Sequence, residues 1–169
     1  MSQFERAFGD AAWLVLLSVP VLVAVGVVYG RQFSLTLSVT IVRTLLVASI
    51  VGVLAVTLFP TPAGGLARSV EWLPFTDLES AARRAQVLAN IALTTPTGVL
   101  AAWTLTGKKL WSVVARFSLL PLVIELTQFT LPIGRVAATE DVILGALGIL
   151  LGATAQRFTR AAFGSPPRE

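Results

Sequence analysis

Apolar residues run in five blocks along the chain, over about 11–29, 35–59, 87–106, 110–131 and 140–158, with short polar breaks between most of them. Each block is close to the ~20 residues that an α-helix needs to cross a bilayer core of about 30 Å. The pattern predicts an all-α, polytopic membrane helix bundle of about five transmembrane helices. All 169 residues form a single integral membrane domain in this reading. The one long interruption, Pro60–Gln86, is rich in proline and glycine and holds much of the charge, so it is expected as a longer extracytoplasmic loop. Glu71-Trp72-Leu73-Pro74-Phe75 within it has the make-up of an interfacial anchor. Thr76 or Asp77 could cap a short amphipathic helix over Leu78–Gln86.

The first block is preceded by Glu5, Arg6 and Asp10 and lacks a small-x-small exit, so it is expected to stay as a membrane helix rather than act as a cleaved leader. Pro20 should kink it, and Pro121 should release the carbonyl of Phe117 and bend the fourth block. Thr139 precedes Glu140 and Asp141, and acids in a first helical turn suit the positive end of the helix dipole.

Composition supports this class. The chain is 55% hydrophobic and 13% charged, against roughly 45–50% and 25% in soluble domains. Its net charge of +4 does not point to nucleic acid, because the cations cap apolar blocks and form no stripe. With no cysteine and no histidine, disulfides, thiolate chemistry, haem ligation and histidine-based zinc sites are excluded. The acids show no spacing typical of a Mg²⁺ or Ca²⁺ site, so neither a metal nor a cofactor is expected.

The candidate chemistry lies in the polar residues set among these blocks. A carboxylate such as Glu125 within the fourth span costs roughly 2.5–3.5 kcal/mol to insert, so a partner or a wet cavity should hold it. Gln128, three residues on, shares its face. Arg43, about 12 Å inside the second span at 1.5 Å per residue, either snorkels to the interface or pairs with Glu125. Asn90, Thr94, Thr97 and Ala101 form a stripe on the third span that suits helix packing, with Asn90 kept as a site candidate. On the fifth span Asp141, Gly145, Gly148 and Gly152 share a face, while Leu144, Leu147 and Leu151 take another. The glycines should let a neighbour approach at backbone distance and draw Asp141 into the bundle.

Alternation of five spans puts the amino terminus, the long loop and the 132–139 turn on one side. Lys and Arg are more numerous on the other, so the carboxyl tail is expected in the cytoplasm. Asn90, Glu125, Gln128, Arg135, Glu140 and Asp141 then gather at similar depth in the outer leaflet, with Arg135 a counter-ion for Glu125 or Asp141. Such a cluster is either an inter-helix clamp or a polar pocket for a head group, and the two are compatible.

Leu73-Pro74-Phe75, Asn90, Pro96-x-Gly98, Glu125-x-x-Gln128, Arg135 and Asp141 with Gly148 and Gly152 together resemble the VanZ-like family of small bacterial membrane proteins, over about 73–152. The pattern departs at Thr97, where the family usually has leucine, at Ala138, usually aspartate, and at Gly145, usually asparagine; Glu140 stands for a usual aspartate. The resemblance implies a multi-pass protein of the bacterial plasma membrane, associated with the cell envelope and with resistance to the glycopeptide antibiotic teicoplanin. No catalytic mechanism comes with it, and the absence of a nucleophile motif weighs against an enzyme. The expected ligands are membrane lipids, a lipid-linked cell-wall precursor, a lipid head group or a glycopeptide, held in the outer-leaflet cluster. A membrane-embedded carboxylate enzyme and a small transporter remain the alternatives, and an oligomer is left open.

Overall fold

A computed structural model describes residues 21–58, 70–75, 79–131 and 136–164. In these residues the chain forms α1 (Val21–Gln32), α2 (Leu37–Leu58), β1 (Val70–Glu71), α3 (Ala81–Thr104), α4 (Leu110–Phe117), α5 (Leu119–Thr130), β2 (Ala137–Ala138) and α6 (Thr139–Phe163). Four stretches are long and apolar enough to cross a membrane: α2, α3, α4 with α5, and α6. The fold is an all-α bundle, as the block pattern predicts. Most of the expected first span lies outside the described residues; its end is the helix α1.

The centre of the bundle is the parallel pair α3 and α6. Gly98, Gly148 and Gly152 lie so close to the facing helix that an added Cβ would run into backbone: that of Ile149, of Ile91 and of Thr95 and Val99 respectively. Hydroxyls complete the contact. Thr94 Oγ1 donates to the Gly145 carbonyl at 3.0 Å, and the buried Thr97 shares a 3.1 Å hydrogen bond with Ser49 of α2. Apolar burial alone gives little preference between a helix and lipid tails, so close contact and interhelical hydrogen bonds must select this arrangement.

The other helices join this pair. Leu46 of α2, Ala101 and Ala102 of α3, Val113 and Val114 of α4 and Ala153 of α6 form one buried cluster. Gly26 and Gly30 of α1 leave space for Thr44 and Thr40 of α2, forming an antiparallel hairpin. Large apolar side chains such as Leu45, Val47, Val123, Leu126 and Leu151 point outward, where lipid would meet them. Leu144 departs from the expected leucine face: it is buried, while Leu147 and Leu151 are exposed.

Several boundaries differ from expectation. The third helix starts at Ala81 and absorbs much of the separate amphipathic helix expected over Leu78–Gln86. Ala81, Ala82 and Ala85 favour helix and nothing from Gln86 to Asn90 interrupts it. Thr76 and Asp77 lie outside the described residues, and Ser80 occupies the cap position. The fourth span is two helices that meet at Ser118, three residues before Pro121, where the proline removes a backbone donor. The last helix begins at Thr139, after Ala138 in extended backbone. A two-residue parallel bridge pairs Val70 with Ala137 and Glu71 with Ala138, which the all-helical pattern does not foretell.

Charge is sorted along the bundle. The five described acids, Glu71, Glu79, Glu125, Glu140 and Asp141, all lie toward the end where α6 begins, together with Arg83 and Arg84. Arg31, Lys108, Lys109, Arg157 and Arg160 lie at the opposite end.

The packing of α3 on α6 yields a direct expectation. Gly152→Ala should cost about 1–3 kcal/mol, since its methyl meets the Thr95 carbonyl and no flexible side chain can yield. Gly52→Ala, which faces open space, should leave stability unchanged or raise it by up to about 1 kcal/mol. Thermal melting of the detergent-solubilised chain checks both.

Candidate functional site: the acidic end of the bundle

The close approach of α3 and α6 sets side chains of each helix against the other at the acidic end. Asn90 Nδ2 donates to Asp141 Oδ1 at 2.5 Å. Glu140, one residue earlier and 3% exposed, is the most enclosed acid described. Its Oε2 accepts from Arg83 Nη2 at 2.8 Å and from the Phe75 backbone N–H at 2.8 Å. Arg83 Nη2 also reaches Glu71 Oε2 at 3.3 Å. Placed in the first turn of α6, Glu140 and Asp141 also meet the positive end of that helix's dipole.

These contacts hold the segment 71–75 as a strap. Its first residue is tied by the Glu71 carboxylate to Arg83 and its last by the Phe75 N–H to Glu140. Phe75 takes a φ of 62°, a left-handed conformation that costs a bulky side chain energy, so the bond from its N–H to Glu140 fixes an otherwise disfavoured turn. Between the ties Trp72 and Leu73 are 76% and 74% exposed, forming an apolar crest beside Arg83. The backbone bridge to Ala137 and Ala138 joins the same strap to the connection entering α6.

The fourth span supplies a second set of contacts. Glu125, 8% exposed, accepts from the Ala138 N–H at 2.6 Å, so a buried carboxylate is spent on a backbone donor of the turn. Gln128 Nε2 donates to the Thr57 carbonyl at 2.9 Å and thus fastens α5 to the last turn of α2. Arg43 is exposed and about 21 Å along α2 from Thr57, at 1.5 Å per residue, too far to pair with Glu125.

Of the six expected polar residues, Asn90 and Asp141 therefore meet each other directly. Glu125, Gln128 and Glu140 each hold a backbone group of a different connection or helix end. Arg135 lies outside the described residues. Gly145 faces Pro121 and Thr94, and Gly148 and Gly152 face α3. Among the described residues no group of three His, Cys, Asp or Glu gathers as a metal site would.

Arg83 was not among the expected site residues. It is the only cation in the described ion pairs, and its buried Nε has no protein acceptor among the described residues. A signal for it was present: Arg83, Val87, Asn90, Thr94, Thr97 and Ala101 continue one helical stripe, cut short when the span is taken to start at Val87. Gln156, buried near the other end of α6, gave no comparable signal within its apolar block.

A model of the VanZ/LLP1 family matches residues 45–160, about two thirds of the chain. The chain belongs to the VanZ/LLP1 family. The match takes in most of α2, all of α3–α5 and α6 as far as Arg160, so the helices that build the acidic end of this VanZ/LLP1 protein fall inside the family region. No curated protein and no solved structure matches the chain significantly. Its four long apolar helices, taken with the family, mark this VanZ/LLP1 chain as a membrane protein.

Glu140→Gln leaves Arg83 with a neutral partner and weakens the hold on Phe75. It should destabilise the protein by about 1.5–3 kcal/mol, the range for hydrogen bonds to charged groups. A double-mutant cycle of Glu140→Gln with Arg83→Gln should show coupling above about 0.5 kcal/mol. Additive losses in thermal melts would mean that the two side chains do not act together.

Proposed function

We propose that the acidic end faces outward from the bacterial plasma membrane. There the platform around Arg83 would bind an acceptor-rich, anionic group of a cell-envelope ligand: a lipid-linked cell-wall precursor, a lipid head group or a glycopeptide. The protein acts by binding, not by turnover. The observation that carries this reading is the state of Arg83. Its Nη2 is fixed by Glu140 and Glu71, while the buried Nε has no protein acceptor among the described residues. A fixed guanidinium with donors to spare suits phosphate or carboxylate oxygens, because little order remains to be imposed on binding. The crest of Trp72 and Leu73 beside it supports a ligand with a lipid portion, since exposed aromatic and apolar side chains favour the membrane interface.

Family membership supports the setting, because the VanZ resemblance implies an envelope protein linked to teicoplanin resistance. The excess of cations at the opposite end supports the orientation, with the carboxyl-terminal end of α6 in the cytoplasm. Glu125, Gln128 and Asn90 fit best as the frame that fixes the platform, since each is engaged with another helix or connection. Arg135, which the sequence places in the turn before α6, is expected to add a second outward cation.

The test is thermal melting of the full chain in nanodiscs, with and without a lipid-linked cell-wall precursor or teicoplanin. A ligand of the native state should raise stability by about 2.7 kcal/mol at a hundredfold excess over Kd. Arg83→Lys keeps a cation facing Glu140 but loses Nε, and should fold while losing most of that shift. Wild-type protein that melts unchanged with every ligand would sink the reading.

A further inference from the structure

The basic end holds a cleft that the outward platform does not involve. Here the turn from α3 to α4, residues 105–109, lies against the last turns of α6. Arg157 Nη2 donates to the Lys108 carbonyl, and Arg160 Nη1 donates to Thr106 Oγ1 at 2.7 Å. Gly107, at φ 87°, makes the turn that presents that carbonyl. The result is a cleft of about 540 Å³ flanked by Lys108, Lys109, Arg157 and Arg160, with the side-chain-uncapped start of α4 at its edge. The five described acids lie at the other end of the bundle, so none of them neutralises these four cations.

Next to this cleft runs a groove of about 330 Å³ along α3 and α6, lined mainly by Val99, Trp103, Ala155 and Phe163. The two cavities share Gln156 and Arg160. Gln156 is buried, and it marks the seam between the polar cleft and the apolar groove. Trp103 and Phe163 are exposed there.

We propose that the basic end is a binding site for an anionic phospholipid. Its phosphate sits in the cleft among Lys108, Lys109, Arg157 and Arg160, and an acyl chain lies along the groove past Trp103 and Phe163. One feature favours a lipid over a free anion, and two favour a phosphate. The cleft continues into an apolar groove, so one molecule with a charged head and an apolar tail satisfies both. The two arginines are held by the turn, so their guanidiniums are positioned before the ligand arrives. Each spends one of its five donors on that tether among the described residues and offers the rest to phosphate oxygens. The site is independent of the outward platform and of the ligand assigned there.

The experiment uses the full chain in mild detergent. Thermal melting is followed on addition of phosphatidylglycerol, phosphatidylcholine, sn-glycerol 3-phosphate or inorganic phosphate at equal concentration. Phosphatidylglycerol alone should raise the melting temperature, and the effect should fall as salt rises. Lys108→Gln with Lys109→Gln removes two exposed charges without touching the Lys108 carbonyl, so the variant should fold as wild type. Its apparent affinity for phosphatidylglycerol should drop about fivefold per charge. Arg116→Gln, an exposed cation outside the cleft, should bind as wild type. Equal shifts with phosphatidylcholine or with either water-soluble phosphate would overturn the proposal, as would a double variant that binds phosphatidylglycerol like wild type.

Discussion

The structure depends on how closely α3 and α6 approach. Gly98, Gly148 and Gly152 remove the side chains that would keep the two backbones apart, and Thr94 then bonds across to a carbonyl that a wider spacing would put out of reach. In a membrane this matters more than apolar area, because lipid tails solvate leucine as well as another helix does. The same approach sets the positions at both ends of the pair. Toward one end it brings Asn90 to Asp141 and Arg83 to Glu140; toward the other it sets the α3–α4 turn against Arg157 and Arg160.

Polar groups in this bundle work mainly on backbone. Glu125 holds the N–H of Ala138, Glu140 the N–H of Phe75 and Gln128 the carbonyl of Thr57. Connections at the membrane surface have no regular ladder to satisfy their backbone groups, and a buried group left unsatisfied is costly. Side chains from the spans supply those partners. The clamp and the proposed binding surface are thus one construction: the bonds that secure the strap 71–75 and the entry to α6 are also those that hold Arg83 in place.

The spans were legible because each is a long apolar block, and the α6 glycines were legible because their spacing repeats on one face of a helix. Asn90 and Asp141 could be placed together from topology alone, since α3 and α6, two spans apart, run in the same direction and begin on one side. What could not be read was any contact made by backbone atoms. The bridge of Val70 and Glu71 to Ala137 and Ala138 leaves no alternating pattern, and the bond from Phe75 to Glu140 joins residues 65 apart in sequence. Arg83 was missed for a different reason. Hydropathy sets the start of a span where polarity falls, whereas the helix begins where local propensity first permits it, nearly two turns earlier. Pro121 shows the converse: its effect on the fourth span was readable, because a missing N–H acts locally whatever surrounds it.

The sorting of charge gives the molecule an electric axis. Acids crowd the start of α6 and cations its last turns, so the bundle as a whole carries a dipole parallel to its helices. A membrane under voltage is sensitive to that axis. Carrying one elementary charge across 100 mV changes its energy by about 2.3 kcal/mol, and turning the bundle over would carry several charges of each sign the unfavourable way. For a protein with such an axis the two orientations in that field differ in energy. Its two ends therefore differ in charge as well as in shape.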